Sequence, residues 1–417
     1  MAAAGISWRS LALLALAATL GGCAVDEAAR YHSVWRPADG HSTTSTVFYV
    51  TDREPDRGWP GGFGKHWSDK ASCGSVEASV PAANLPGDPI PTGSIKALTA
   101  VACASAAMDG IAGAIAAEAR ARGCGSVLLF VHGFNTLFSD AILRAAQLAG
   151  DTQAGCVAAA FSWSSEGEVA RYVADIEHSS YAAPMLESFL RALARTGLRV
   201  DVVGHSIGTR LVLSALSALA LQPNPPPQNF IGEMILAAAD VGADPANNDF
   251  VHLLHDALPF VHRTTIYASA GDAVLAISAS AHGEVPRAGH RPVSDRRIQT
   301  PASERAGAKQ IVDVVDATQA PAELLGHSYY GLSYEAVSDI ALALHGIPAR
   351  ERLSPAGAWG ATLVCKTREG QACNRELPLY ALNVSDDRRP TWSVRLIRRL
   401  VPLIPRVELA PFTSGAE

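Results

Sequence analysis

Residues 198–221 read LRVDVVGHSIGTRLVLSALSALAL, and the fold is decided there. Residues 198–203 are short and Val-rich, the pattern of a buried strand. Residues 207–221 carry Leu, Ile and Val at helical spacing, which predicts a helix. Between them lies Gly204-His205-Ser206-Ile207-Gly208. A serine on so sharp a strand-to-helix turn needs small residues two positions to either side, because side chains there would clash. GxSxG alone is a weak signal, but a strand running straight in and a helix running straight out are the context it requires. Ser206 is therefore the candidate nucleophile.

The pattern alternates on both sides of this stretch. Residues 126–131 (SVLLFV), 156–161, 234–239, 264–269 and 311–315 read as strands, and residues 141–150 and 181–195 as helices. Strands separated by helical stretches imply βαβ units, hence a mostly parallel sheet with helices on both faces. Upstream, residues 46–51 (TVFYVT) read as a strand, residues 54–67 as a Gly/Pro/Trp-rich loop, and residues 75–80 as extended chain. The Ala-rich residues 98–121 read as a helix packed closely on the sheet, and the Pro-rich residues 223–227 as a surface connection. A catalytic domain is expected over residues 46–347, followed by a C-terminal extension, 348–417, holding a hairpin and a helix.

A serine hydroxyl needs a base to take its proton and a third group to orient that base. On a strand-elbow-helix scaffold these follow in the order serine, acid, histidine. Asp272, in Ala270-Gly271-Asp272, lies two strands beyond the elbow strand and is the preferred acid. Asp240, one strand earlier, is the alternative. Four histidines follow Asp272: His282, His290, His327 and His345. His327 falls in the loop after the last strand and is the expected base; His290 and His345 read as surface or packing residues. The oxyanion donors are expected to be the backbone N–H groups of Ile207 and Phe134, the latter in His132-Gly133-Phe134-Asn135. His252 and His255 form an HxxH without a third ligand, so a helix surface is the better reading than a metal site. No metal and no cofactor are expected.

Hydrophobic residues make up 48% of the 417 and charged residues 18%, enough for a large buried core. A net charge of −6 argues against nucleic acid as a partner, since phosphate binding needs a concentrated basic surface. At the N-terminus, Arg9 precedes the apolar residues 11–20, a secretory signal too short to span a bilayer comfortably. The following Leu20-Gly21-Gly22-Cys23 resembles a bacterial lipobox, which gives residues 1–22 as signal peptide, Cys23 as the lipidated residue and 23–45 as a tether. A bacterial envelope protein facing the periplasm or exterior, held to a membrane by its N-terminal lipid, is expected. The six other cysteines suit that oxidising setting. Cys365 and Cys373 flank a short polar loop. Cys124 and Cys156 each precede a strand and could bond if those strands are neighbours, which leaves Cys73 and Cys103.

Six spaced motifs add a resemblance: VFYVTDR (47–53), VHGFNT (131–136), FSWSSEG (161–167), GHSIGTR (204–210), YASAGD (267–272) and HSYY (327–330). Together they resemble a bacterial α/β-hydrolase family described as a domain of unknown function within the esterase/lipase superfamily, over residues 46–345. That resemblance implies an eight-stranded α/β-hydrolase sheet and a serine triad of Ser206, Asp272 and His327. It also implies pocket or structural roles for Tyr172 and Asp175. The expected activity is hydrolysis of a small-molecule or lipid carboxylic ester through an acyl-enzyme. An amidase or thioesterase using the same triad, or a non-catalytic envelope lipoprotein on a hydrolase scaffold, are the alternatives. Residues 388–406 hold six arginines and no acid; a terminal helix packed on the domain is preferred over a membrane-lying segment, since Pro402 and Pro405 would cut it short.

Overall fold

A computed structural model describes residues 42–81, 94–103, 105–166, 171–243, 249–290, 297–299, 311–364, 375–382, 384 and 389–400. The expected signal peptide, Cys23, most of the expected tether and the Cys365/Cys373 pair lie outside the described residues. From the N-terminus the strands are β1 (Ser42–Pro55), β2 (Phe63–Pro81), β3 (Ser94–Ala102), β4 (Ser126–Val131), β5 (Val157–Ser162) and β6 (Arg199–His205). They continue as β7 (Ile231–Ala237), β8 (Val261–Ala268), β9 (Arg297–Gln299), β10 (Ile311–Asp316), β11 (Ser354–Val364) and β12 (Arg375–Ala381). The helices are α1 (Ser105–Ala121), α2 (Phe138–Thr152), α3 (Tyr172–Arg195), α4 (Ile207–Ala220) and α5 (Asp249–Ala257). After them come α6 (Ala273–Ala281), the short α7 (Tyr329–Leu332), α8 (Tyr334–Leu344), the short α9 (Ala349–Arg352) and α10 (Trp392–Leu400).

All the strands join one sheet in the order β3-β2-β1-β5-β4-β6-β7-β8-β10-β12-β11-β9. The run from β1 to β12 in that order is parallel throughout, and β2 and β11 pair with its two edges antiparallel. The sheet thus has twelve strands among the described residues, not the expected eight. Eight make the parallel run, and the chain adds two strands at each edge, which cover its unpaired backbone groups.

Two corrections follow at the N-terminal edge. Residues 98–102, read as helix, belong to β3, and much of the expected loop 54–67 belongs to the β1–β2 hairpin. Alanine favours helix, but Ala100 and Ala102 pair with Gly74 and Ser72 of β2, so tertiary pairing overrides propensity. Cys73 and Cys103 form a disulfide that fastens this edge. Cys124 and Cys156 form the other, their strands β4 and β5 being parallel neighbours. Closing loops of 30 and 32 residues contributes roughly 3–4 kcal/mol each.

The apolar run of β4 has a simple cause. Val127, Leu129 and Val131 face Ile115 of α1, Leu186 of α3 and Leu211 of α4, while Leu128 and Phe130 face Phe138 and Ile142 of α2 and Ile340 of α8. Both faces are buried, so neither can be polar. At about 1.5–3 kcal/mol for each large apolar side chain, these layers fix the strands whose carboxyl ends carry the site.

Candidate active site

Ser206 stands between β6 and α4 at φ 54°, ψ −124°, a conformation that costs a non-glycine residue about 1–3 kcal/mol. The neighbouring strand holds it there: the N–H of Ser206 donates to the carbonyl of Ala237 at 3.0 Å, and that of Asp240 donates to the carbonyl of Ser206 at 3.2 Å. Close packing explains the motif glycine. A methyl group on Gly208 would come 2.3 Å from the carbonyl oxygen of Val131, at the end of β4. The following loop presses on Ser206 itself, since a methyl on Gly133 would lie 2.7 Å from Ser206 Cβ. Phe134 is next in that loop, and Ile207 is the first residue of α4, where N–H groups have no acceptor within the helix.

The expected acid and base arrive on strands farther along the sheet. β8 lies two strands from β6 and is followed by Asp272; β10 lies beside β8 and leads to His327. Nδ1 of His327 donates to Asp272 Oδ2 at 2.8 Å, with both groups buried. The other carboxylate oxygen of Asp272 caps α6 by accepting from the Leu275 N–H at 3.0 Å. The carboxylate is thus held at both oxygens. The His205 ring lies 4.7 Å from that of His327 and stacks on Tyr330 at 4.1 Å, and its Nε2 donates to the His327 carbonyl at 3.4 Å. Burial, then the neighbouring His327, pushes His205 well below the usual imidazole range, so it is neutral. The residue before Ser206 thereby packs against the histidine paired with Asp272.

The alternative acid is used elsewhere. Asp240 Oδ1 accepts from Arg287 Nε at 2.5 Å and from Ser278 Oγ at 2.7 Å, and Oδ2 accepts from the Tyr172 hydroxyl at 2.5 Å. Burial raises its carboxyl, but the Arg287 charge and the hydrogen bonds outweigh this and hold it below the ordinary range. Of the other histidines, His282 ends α6, contacts the Ser278 carbonyl and meets the Tyr172 ring edge-on at 6.1 Å, His290 lies in the bridge to Ser269, and His345 reaches the Thr152 carbonyl. His252 and His255 lie on α5, and no metal-holding group of three or more ligands occurs among the described residues.

Tyr172 and Asp175 both belong to α3, which starts nine residues before the expected helix. Tyr172 meets Phe134 edge-on at 5.3 Å, linking the loop after β4 to Asp240. Asp175 accepts from Ser165 Oγ at 2.5 Å and from the Glu166 N–H at 2.8 Å, which pins the segment after β5. Sequence reading missed the buried Arg53, whose guanidinium reaches the carbonyls of Thr136, Ser165 and Gly64 and so braces two of these loops. It also missed His205, Arg287 and Glu323. His205 and Arg287 act through partners distant in the chain, whereas Glu323 accepts from the N–H groups of His327 and Ser328, four and five residues on.

Beside Arg53, Asp52 is fully buried with Oδ1 lacking a hydrogen-bond partner, and burial pushes its carboxyl up to about 6. A carboxyl raised in the folded state binds its proton more tightly there than in the unfolded chain. Its contribution is therefore present below about pH 4 and is lost as pH rises through about 6, with a ceiling of about 3 kcal/mol. Asp52→Asn is expected to gain stability relative to the unsubstituted protein between pH 4 and 7, read as a widening gap in denaturant midpoints. A gap constant with pH would contradict this.

Residues 112–344 match the model of a family described as alpha/beta hydrolase of unknown function (DUF900). No curated protein matches the chain. Solved structures similar to it include esterase B from Lactobacillus rhamnosis, at 10% identity and TM-score 0.33, over 83% of this chain and 98% of that one. A hyperthermophilic esterase from the archaeon Pyrobaculum calidifontis is similar at 10% identity and TM-score 0.33, over 83% and 99%. A thermostable esterase from Pseudomonas putida ECU1011 is similar at 11% identity and TM-score 0.30, over 82% and 97%. Likenesses this faint say nothing about substrate. The family match spans more than half of the chain, runs from α1 to the end of α8 and takes in the Ser206 elbow, Asp272 and His327: the protein belongs to the alpha/beta hydrolase family of unknown function.

Proposed function

We propose that the protein is a serine hydrolase that cleaves carboxylic esters through an acyl-enzyme on Ser206. The observation that carries this reading is the 2.8 Å bond from His327 Nδ1 to Asp272, made by a histidine packed against the residue preceding a strained serine. Asp272 only accepts, so Nδ1 keeps its proton and Nε2 of His327 is left as the basic nitrogen. In the proposed reaction Nε2 takes the Ser206 proton as Oγ attacks the ester carbonyl. The N–H groups of Phe134 and Ile207 hold the tetrahedral oxyanion. Nε2 then protonates the departing alcohol, and the same base activates the water that releases the acid. Asp272 holds the ring and stabilises the imidazolium. Asp240, tied to Arg287, Ser278 and Tyr172, shapes the wall beside Phe134.

Around this chemistry we place a lipid-anchored envelope protein, tethered through Cys23; the two disulfides suit such an oxidising setting. The test is turnover of p-nitrophenyl esters of short and long acyl chains, with a p-nitroanilide and a thioester alongside. Ester turnover is expected, with a preferred chain length. Turnover of the anilide or thioester alone would transfer the same triad to amidase or thioesterase chemistry. Silence on all three, with no labelling by a fluorophosphonate, would leave a binding scaffold.

A further inference from the structure

Outside the family match, the Arg398 side chain of α10 packs against the loops that carry Asp272 and His327. Arg398 is 5% exposed, although Trp392, Arg395 and Leu396 of the same helix are exposed. Its Nε donates to the Leu324 carbonyl at 3.0 Å and a terminal nitrogen donates to the Glu323 carbonyl at 2.8 Å. The Glu323 carboxylate in turn accepts from the N–H of His327 at 2.6 Å and of Ser328 at 2.9 Å. The guanidinium also packs against the two glycines that directly precede the acid and the base. A methyl on Gly326 would come 2.8 Å from Arg398 Cζ and 2.5 Å from the Gly271 carbonyl, and one on Gly271 would come 3.4 Å from an Arg398 terminal nitrogen. One planar group therefore spans both loops whose tips hold the Asp272–His327 bond. Arginine suits this place because its fork of fixed donors can satisfy two carbonyls at once.

We propose that Arg398 is a positioning residue for the acid–base pair: the C-terminal helix completes the site by clamping the Asp272 and His327 loops in register. The proposal rests on the reading of His327 as the base. Its consequence is that the segment beyond the family match is part of the working hydrolase rather than an appendage. Burial lowers Arg398 from its ordinary value, and the neighbouring Glu323 and Asp272 carboxylates oppose that shift.

The test uses the full-length protein with Arg398→Met and Arg398→Lys. Misplacing a catalytic group by about 1 Å costs on the order of a hundredfold. R398M is therefore expected to lose about ten- to a hundredfold in kcat on a p-nitrophenyl ester with KM little changed, and R398K to recover most of the loss. The far-downfield proton resonance of the His327 Nδ1–H should weaken or shift in R398M and return in R398K. Unchanged kcat and resonance in R398M would overturn the proposal. So would equal losses in both variants that follow their thermal unfolding, which mark a merely structural arginine. R398Q, which keeps a donor and fills the space, gives the same readings if R398M folds poorly. The resonance needs no substrate: failure of the unsubstituted protein to cleave esters counts against the proposed function, whereas an unaltered resonance in R398M counts against the clamp.

Discussion

Ser206→Ala is expected to lower kcat on a p-nitrophenyl ester by about 10⁶-fold, with the fold intact. The size follows from the chemistry: without Oγ there is no covalent intermediate, and His327 and Asp272 are left with nothing to activate. Ser206 is 1% exposed and its oxygen carries none of the described hydrogen bonds that hold the elbow, which run through the backbone to Ala237 and Asp240. Thermal unfolding should therefore stay near that of the unsubstituted protein. A variant that keeps a tenth of the original kcat would place the nucleophile elsewhere.

The second large effect separates the two acids. Asp272→Asn is expected to lower kcat by roughly 10⁴-fold, because an amide can donate to Nδ1, favours the wrong tautomer and no longer stabilises the imidazolium. Asp240→Asn should behave differently. It removes the charge that the buried Arg287, 3% exposed, pairs with at 2.5 Å. Breaking such a pair costs about 3–5 kcal/mol of stability, so the loss should appear in the denaturation midpoint before it appears in kcat per folded molecule. The reverse pattern, a stability loss at Asp272 and a kcat loss at Asp240, would exchange their roles.

The parts of the site legible in the sequence were those written in local pattern. β4 is apolar because both of its faces are covered, and the valines of β6 and β10 are buried in the same layers, so these strands and the residues that follow them could be read directly. Given those strand ends, chain order points to Asp272 and His327. The N-terminal edge was not legible in the same way: Ala-rich β3 is a strand only because β2 lies beside it. The first turns of α3 were missed because YVADIEHSS is polar for a helix start, although Asp175 and Ser179 are buried. The eight-strand expectation matches the number of strands in the parallel run; it did not include β2 and β3 at one edge, nor the pairing of the expected C-terminal hairpin and β9 into the other. Arg398 illustrates the general limit. In sequence it is one of six arginines in a basic stretch, and only the tertiary fold sets it apart, 71 residues after His327, beneath two glycines.

The most direct measurement is the site of covalent capture. The intact protein is treated with a fluorophosphonate, digested, and the modified residue identified by mass spectrometry. A single adduct on Ser206, formed more slowly as pH falls and His327 takes up a proton, is the expected result. An adduct on any other serine, or efficient ester turnover by a protein that forms none, would contradict it.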